Sequence, residues 1–218
     1  MKVNVETFVA AAFGQNAYLV WEPGATMAVA IDPGGEAGAM ADALADEGLF
    51  LEAILLTHAH LDHVEGVGLL VGRTGARVFL HPDDAHLYDA VPTQASMFGL
   101  RAETQPPVDG PLVHGEILRF GNLAFQVRHT PGHSPGHVIL VLVDDGIAFV
   151  GDVVFQGSIG RTDLPGGDFQ TLMRSIREQV LTLPPDTRLF SGHGPPTTVD
   201  HEARTNPFLI PLVGGRMA

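Results

Sequence analysis

Thr57-His58-Ala59-His60-Leu61-Asp62-His63-Val64-Glu65-Gly66 places three histidines and an aspartate within six residues, directly after the apolar run Ala53-Ile54-Leu55-Leu56. A short apolar run that ends in polar residues reads as a buried strand. Side chains alternate along a strand, so His58 and His60 at its end share one side. Asp62 and His63 then open the helix that follows. Imidazole and carboxylate suit Zn, Fe or Mn near neutral pH, which gives this turn the make-up of a metal site. Asp62 with Glu65 three positions on also fits a helix N-cap and capping box. That reading leaves the histidines unexplained, because burying several imidazoles costs free energy unless each finds a partner.

On the amino-terminal side of this stretch, residues 3–9, 17–21 and 27–31 read as strands, the last ending at the turn Asp32-Pro33-Gly34-Gly35. Residues 36–47 are rich in Ala and Leu and read as a helix stopped by Gly48. On the other side, 64–71 continues as helix, 77–80 is a strand, and 82–88 suits a helix with proline in its first turn. Residues 91–110 are broken by Pro92, Pro106 and Pro107 and read as a loop with a short helix, lying over the site. The second half repeats the order. Strands are expected over 117–119, 124–129, 138–143, 147–150 and 188–190, with a hairpin through Asp144-Asp145-Gly146 and a helix over 169–181 capped by Asp168. Strands then helix, twice, predicts two similar halves with sheets packed together and helices outside. The fold class is α+β, as a single domain over 1–218.

With 45% apolar and 17% charged residues, the 218-residue chain is suited to a continuous core rather than to disorder. Its formal net charge of −13, from 25 acidic against 12 basic residues, argues against binding nucleic acid. Cysteine is absent, which removes disulfides, thiolate ligands and a cysteine nucleophile, so any metal must sit on His, Asp or Glu. No signal peptide and no membrane-spanning run is read, and the cytoplasm is the expected location.

Further candidate ligands arrive where later strands end. His133 lies in Thr130-Pro131-Gly132-His133-Ser134-Pro135-Gly136-His137, Asp152 follows a strand in Gly151-Asp152, and His193 stands between Gly192 and Gly194. Singly each is an ordinary turn residue. Glycine and proline fix unusual backbone paths at all three, and four strand ends converging on one rim would point seven ligands inward. The histidines at 81, 86, 114, 129, 137 and 201 are read as non-ligands, with His137 packing or hydrogen bonding beneath the site.

HxHxDH, then PGH, GD and GHG in that order resembles the metallo-β-lactamase superfamily, whose fold is an αββα sandwich. The resemblance runs from the Asp32 turn to His193. It implies one metal on His58, His60 and His133, a second on Asp62, His63 and His193, and Asp152 bridging both. Asp32 would orient the cluster from behind. The absence of cysteine separates the chain from those β-lactamases that use a cysteine ligand and lack a counterpart of His63.

Within that superfamily the chain is most similar to glyoxalase II and its compact bacterial relatives. Phe155-Gln156-Gly157-Ser158-Ile159-Gly160-Arg161-Thr162-Asp163 resembles their substrate loop, and Arg174 with Arg204-Thr205-Asn206-Pro207-Phe208 resembles the ending of the compact group. The implied cofactors are two divalent ions, Zn and/or Fe with Mn as a further fit. The implied reaction is hydrolysis of a small-molecule thioester such as S-lactoylglutathione by a metal-bridging hydroxide, with Asp62 taking or relaying the water's proton. A thiolate leaving group of pKa about 8.5 barely needs an acid. Arg161 stands where the family has a glutathione-contacting lysine, so it is the candidate for an anionic tail; pairing with Asp163 or Asp168 is the plainer role for it. Asp163 and Pro195 stand where the family has glutathione-contacting tyrosines, and the chain ends before the helices that complete that site, so the reaction carries over further than the thiol. The rival is a persulfide dioxygenase of the same fold, with one iron on His58, His133 and Asp152, the facial-triad arrangement.

Overall fold

The strands that lead to the histidines are apolar on both faces, and the fold uses both. The computed structural model, which describes residues 3–142 and 144–214, forms two six-stranded sheets packed face to face. The first holds β1 (Asn4–Val9), β2 (Asn16–Trp21), β3 (Met27–Ile31), β4 (Phe50–Leu55), β5 (Arg77–Leu80) and β6 (Gly110–Pro111), side by side in chain order. The second runs from β7 (Ile117–Phe120) through β8 (Leu123–His129), β9 (Val138–Leu142) and β10 (Ile147–Gly151) to β13 (Arg188–Ser191) and β14 (Thr197–Thr198). A small hairpin, β11 (Val154–Phe155) and β12 (Ser158–Ile159), lies between β10 and β13 in the chain.

Alternation along each strand divides the core into three. Val29, Ile31, Ala53 and Leu55 meet Phe125, Val127, Leu140 and Phe149 between the sheets. Their neighbours Ala28, Ala30 and Ile54 face the opposite way, against Met40, Leu44 and Leu70. Those three belong to α1 (Ala37–Asp46) and α3 (Val67–Thr74), which join α2 (Leu61–Val64), α4 (Ala85–Asp89) and α5 (Val91–Met97) outside the first sheet. On the far side Ile139, Ala148 and Val150 pack with Leu172 and Val199 of α6 (Phe169–Ser175) and α7 (Val199–Thr205), followed by α8 (Ile210–Gly214). The result is an αββα sandwich. Strands buried on both faces lose the polar alternation of a half-exposed sheet, and each large side chain removed from water contributes roughly 1.5–3 kcal/mol.

Strand direction sets the site. β3 and β4 are parallel, β10 and β13 are parallel, and β8 and β10 are each antiparallel to β9 and so run the same way. The sheets are stitched at one rim by Val138 N–H to Thr57 O at 2.8 Å and Asn16 N–H to Gly192 O at 2.7 Å. The carboxyl ends of β3, β4, β8, β10 and β13 therefore open onto a shared edge.

The structure refines the sequence reading in three places. The helix expected over 64–71 is two helices, α2 and α3, divided at Gly66. The short helix expected within 91–110 is α5, and Pro92 sits in its first turn, where a missing N–H costs nothing, rather than breaking it. Asp62 is not the cap of α2: the N-cap is His60, which makes no side-chain cap bond. The strand expected over 138–143 is β9, and Val143 lies outside the described residues. Asp168 caps α6 as expected, accepting the Thr171 N–H at 2.7 Å. Among the described residues no helix is long and apolar enough to cross a membrane.

The break coincides with a close approach of the Asp32 turn to Gly66. Its N–H donates to Pro33 O at 3.0 Å, and a Cβ there would lie 2.1 Å from Gly34 O and 2.6 Å from Pro33 O. Gly66→Ala must push the Asp32 turn off the histidine loop, at a cost of about 1–3 kcal/mol or more. Chemical denaturation measures it; a midpoint equal to wild type contradicts the close approach.

Candidate metal centre

β4 ends in a loop whose backbone is held from behind by Asp32. That residue takes a left-handed φ of 49°, a conformation that Asp tolerates better than most. Its Oδ1 accepts the Thr57 N–H at 2.7 Å, and its Oδ2 accepts the Thr57 hydroxyl at 2.6 Å. The same Oδ2 accepts Nδ1–H of His63 at 2.9 Å. His58, His60 and His63 are thereby delivered to the rim.

All seven predicted residues come together there. His60 Nδ1 and His133 Nε2 approach to 2.9 Å, and His58, His60 and His133 bring one ligand nitrogen each within 4.8 Å of the others. Asp62 Oδ2 lies 3.3 Å from His193 Nε2 and 3.8 Å from His63 Nε2. Asp152 stands between the sets: Oδ1 is 3.4 Å from His63 Nε2, while Oδ2 is 3.5 Å from His133 Nε2 and 3.6 Å from His193 Nε2.

The outer nitrogens of the three most buried candidate ligands, His58, His63 and His133, are committed. His133 Nδ1–H donates to the carbonyl of Arg161 at 2.8 Å. The Thr57 hydroxyl donates to Asp32, so at 3.1 Å it accepts from His58 Nδ1–H. With His63 Nδ1–H on Asp32, the Nε2 atoms of His58, His63 and His133 all turn inward. Such outer hydrogen bonds are what orient metal-bound histidines. His58 Nε2, His63 Nε2 and Asp152 Oδ1 are buried with no hydrogen-bond partner. Orphaned lone pairs of this kind are rare in folded proteins. Three along one rim, in an all-nitrogen and oxygen donor set, fit divalent cations.

Electrostatics divide the cluster. Burial pushes His58 well below its ordinary pKa and His60 down to about 3, and neighbouring imidazoles add to both, so these two stay neutral as ligands must. Burial opposes ionisation of Asp152, but His63, His133 and His193 outweigh it and hold the carboxyl well below the usual carboxylate range. For His63 burial is again outweighed, here by Asp62 and Asp152, and its pKa is raised well above the ordinary value. His193 is raised too, against burial, by its hydrogen bond to Asp62.

Glycines admit this density. A Cβ on Gly192 would lie 2.2 Å from Asp152 Oδ1, and one on Gly160 would lie 1.8 Å from Asp152 O. His137 is buried beneath the site as expected: its Nε2 accepts the Asp152 N–H at 3.1 Å, and its ring stacks on His58. Arg161 serves the site through its carbonyl. Its guanidinium is exposed and spent on Asp163, with Nε to Oδ1 at 2.8 Å and Nη2 to Oδ2 at 2.7 Å. His81 and His129 form a separate stack 4.1 Å apart and only 8° from parallel. Lone pairs lie in the ring planes, so this pair, with Asp83 beside it, does not converge on an ion.

Some residues of the site were not anticipated. Gln94 of α5 accepts the Leu61 N–H and donates to Ala59 O, both at 3.0 Å, pinning the histidine loop. Asn16 donates to Ser191 O at 3.0 Å and Gly194 O at 2.8 Å, and Gln15 pairs with His193 in a β-bridge, which holds the last ligand turn. Gln94 and Gln15–Asn16 sit in a proline-broken stretch and a turn, where amides are commonplace.

The profile of the metallo-beta-lactamase superfamily matches residues 10–193. The chain belongs to the metallo-beta-lactamase superfamily. Hydroxyacylglutathione hydrolase GloC of Haemophilus influenzae is 41% identical over 214 residues, 95% of this chain and 98% of that protein. Probable metallo-hydrolase YqgX of Bacillus subtilis is 42% identical over 180 residues, 82% of this chain and 85% of that protein. Among solved structures of the superfamily, BLEG-1 B3 metallo-beta-lactamase superposes with a TM-score of 0.89 at 40% identity, covering 94% of this chain and 99% of that one. TTHA1623, solved in a di-iron-bound form, superposes with a TM-score of 0.85 at 44% identity, covering 94% and 100%.

The charge states set a testable order. Below its raised pKa, His63 carries a proton that competes with a cation, so affinity at Asp62, His63 and His193 should fall as pH falls. Around His58 and His60, already neutral, the fall should be shallower. Loading zinc near pH 7 should release protons, read by calorimetry in buffers of different ionisation enthalpy. Uptake heats independent of the buffer contradict this charge assignment.

Proposed function

We propose that the chain is a two-metal thioester hydrolase that cleaves a substrate such as S-lactoylglutathione to a hydroxy acid and a free thiol. The observation that carries the reading is Asp152, whose carboxylate lies between the two ligand sets, 3.5 Å from His133 of one and 3.4 and 3.6 Å from His63 and His193 of the other. His58, His60 and His133 would hold one cation, Asp62, His63 and His193 the other, with Asp152 shared. Zinc or iron suits this donor set and manganese is a further fit; geometry and supply rather than raw affinity select among them. A divalent pair bound there supplies Lewis acidity, bringing the pKa of a water towards neutrality and stabilising negative charge on a carbonyl oxygen.

The chain's own residues do the rest. Asp62 is the most accessible carboxylate of the cluster, and burial, which alone would raise its pKa, is outweighed by His63 and His193, so it stays ionised and able to accept the proton of the attacking water. Hydroxide adds to the acyl carbon, the C–S bond breaks, and the sulfur departs as thiolate, which at a pKa of about 8.5 needs little protonation. That suits a rim where no separate acid is in place. Asp163 occupies Nε and Nη2 of the exposed Arg161 guanidinium and offsets the charge that an anionic tail on the substrate would meet there. The likeness to GloC, a hydroxyacylglutathione hydrolase by name, supports the reaction class.

Free-thiol release from S-lactoylglutathione without oxygen, with metal content measured on the same sample, tests the proposal. Release with about two metals per chain is expected, and His58→Ala or Asp152→Ala should lower it by about 100-fold or more, since even partners of metal ligands cost 10–100-fold. One iron per chain with oxygen uptake on a persulfide overturns it in favour of the mononuclear enzyme. Turnover of a chromogenic cephalosporin alone overturns it in favour of the activity BLEG-1 is named for.

A further inference from the structure

Asp84 bears a fully buried carboxylate that neither ligand set uses. It sits at the N-cap position of α4, where an aspartate ordinarily accepts an N–H from its own helix; its side chain makes no such bond. The carboxylate reaches the other way. Oδ2 accepts the Ala59 N–H at 3.0 Å and the Ser134 hydroxyl at 2.7 Å, and Oδ1 accepts the Gly136 N–H at 2.6 Å. Ala59 separates His58 from His60, and Ser134 follows His133 directly. One side chain thus fastens two loops that leave different sheets.

Its surroundings are shaped for this contact. A Cβ on Gly136 would lie 2.5 Å from Asp84 N and 2.9 Å from Asp84 Cγ, so the second loop presses onto the carboxylate at a point where only glycine fits. Burying a carboxylate is costly unless it is hydrogen-bonded, and three donors from the two loops offset that cost only when both loops are in place. The other ligand set is held by different residues: Asp32 behind His63, and Gln15 with Asn16 at the His193 turn.

We infer that Asp84 is a positioning residue for the first metal position, setting the distance between the His58–His60 loop and the His133 loop. The inference rests on the metal-site reading above. In Asp84→Asn the amide group must set an N–H against either Ala59 N–H or Gly136 N–H, so one loop is released while the shape is kept. Ser134→Ala removes one of the three bonds and leaves both backbone bonds, a milder change in the same direction.

The test is metal binding by the stripped full-length chain, with zinc competed against a chromophoric chelator and cobalt substitution read by visible absorption. His58→Ala identifies which of the two binding steps belongs to the first position. Asp84→Asn should weaken that step by about 10–100-fold, the range seen when partners of metal ligands are lost, and shift the cobalt bands of that position alone. The other step should match wild type. If Asp84→Asn does not fold, Ser134→Ala carries the test, with a smaller loss confined to the same step. Equal weakening of both steps marks a general structural role and overturns the inference, as does wild-type affinity in a folded Asp84→Asn. Wild-type metal content in His58→Ala overturns the metal reading itself, whatever Asp84→Asn does.

Discussion

Desolvated imidazoles and carboxylates can stand side by side only when each has a partner on its outer side and a charge to share on its inner side. The rim meets the first condition at its three most buried candidate ligands. Asp32 takes Nδ1–H of His63, Thr57 takes that of His58, and the Arg161 carbonyl takes that of His133. The second condition is what leaves three buried atoms without partners and drives Asp152 and His63 to opposite charge. Sheet pairing, loop ties and glycine placement all serve to hold those groups together against their cost.

The two sheets share that work. β3 and β4 deliver Asp32 and the histidine loop, β8, β10 and β13 deliver His133, Asp152 and His193, and the stitches at Thr57–Val138 and Asn16–Gly192 set the sheets in register. Backbone meets side chain at separations that only glycine permits. Gly151, at φ 46°, would put a Cβ 2.5 Å from Thr57 Oγ1 and 2.7 Å from His137 Nε2. At Gly160 and Gly192 the same crowding is against Asp152. A residue of ordinary size at any of these would disturb the packing around Asp152.

Much of this was legible in the chain. His58, His60, Asp62 and His63 lie within one turn, and His133, Asp152 and His193 announce themselves by Gly and Pro neighbours after apolar runs. The order of strands and helices gave the layered halves, because strands buried on both faces appear as unbroken apolar runs. What stayed hidden are the residues that act at long range. Asp84 after His81-Pro82 looks like an acidic helix start, and Asn16 looks like a turn, yet their partners lie 25 to 178 positions away. The place of the short helix within 91–110 was harder to read, because proline signals both a helix start and a break, and only the packing of Val91 and Ala95 into the helix layer decides between them.

The central claim is that two cations share Asp152 at this rim. Anomalous diffraction from crystals of the metal-loaded protein, collected at the metal's absorption edge, tests it most directly. Two peaks are predicted, one among His58, His60 and His133 and one among Asp62, His63 and His193, each about 2.0–2.2 Å from its ligands and both beside Asp152. A single peak, or a pair of which one lies away from Asp152, contradicts it.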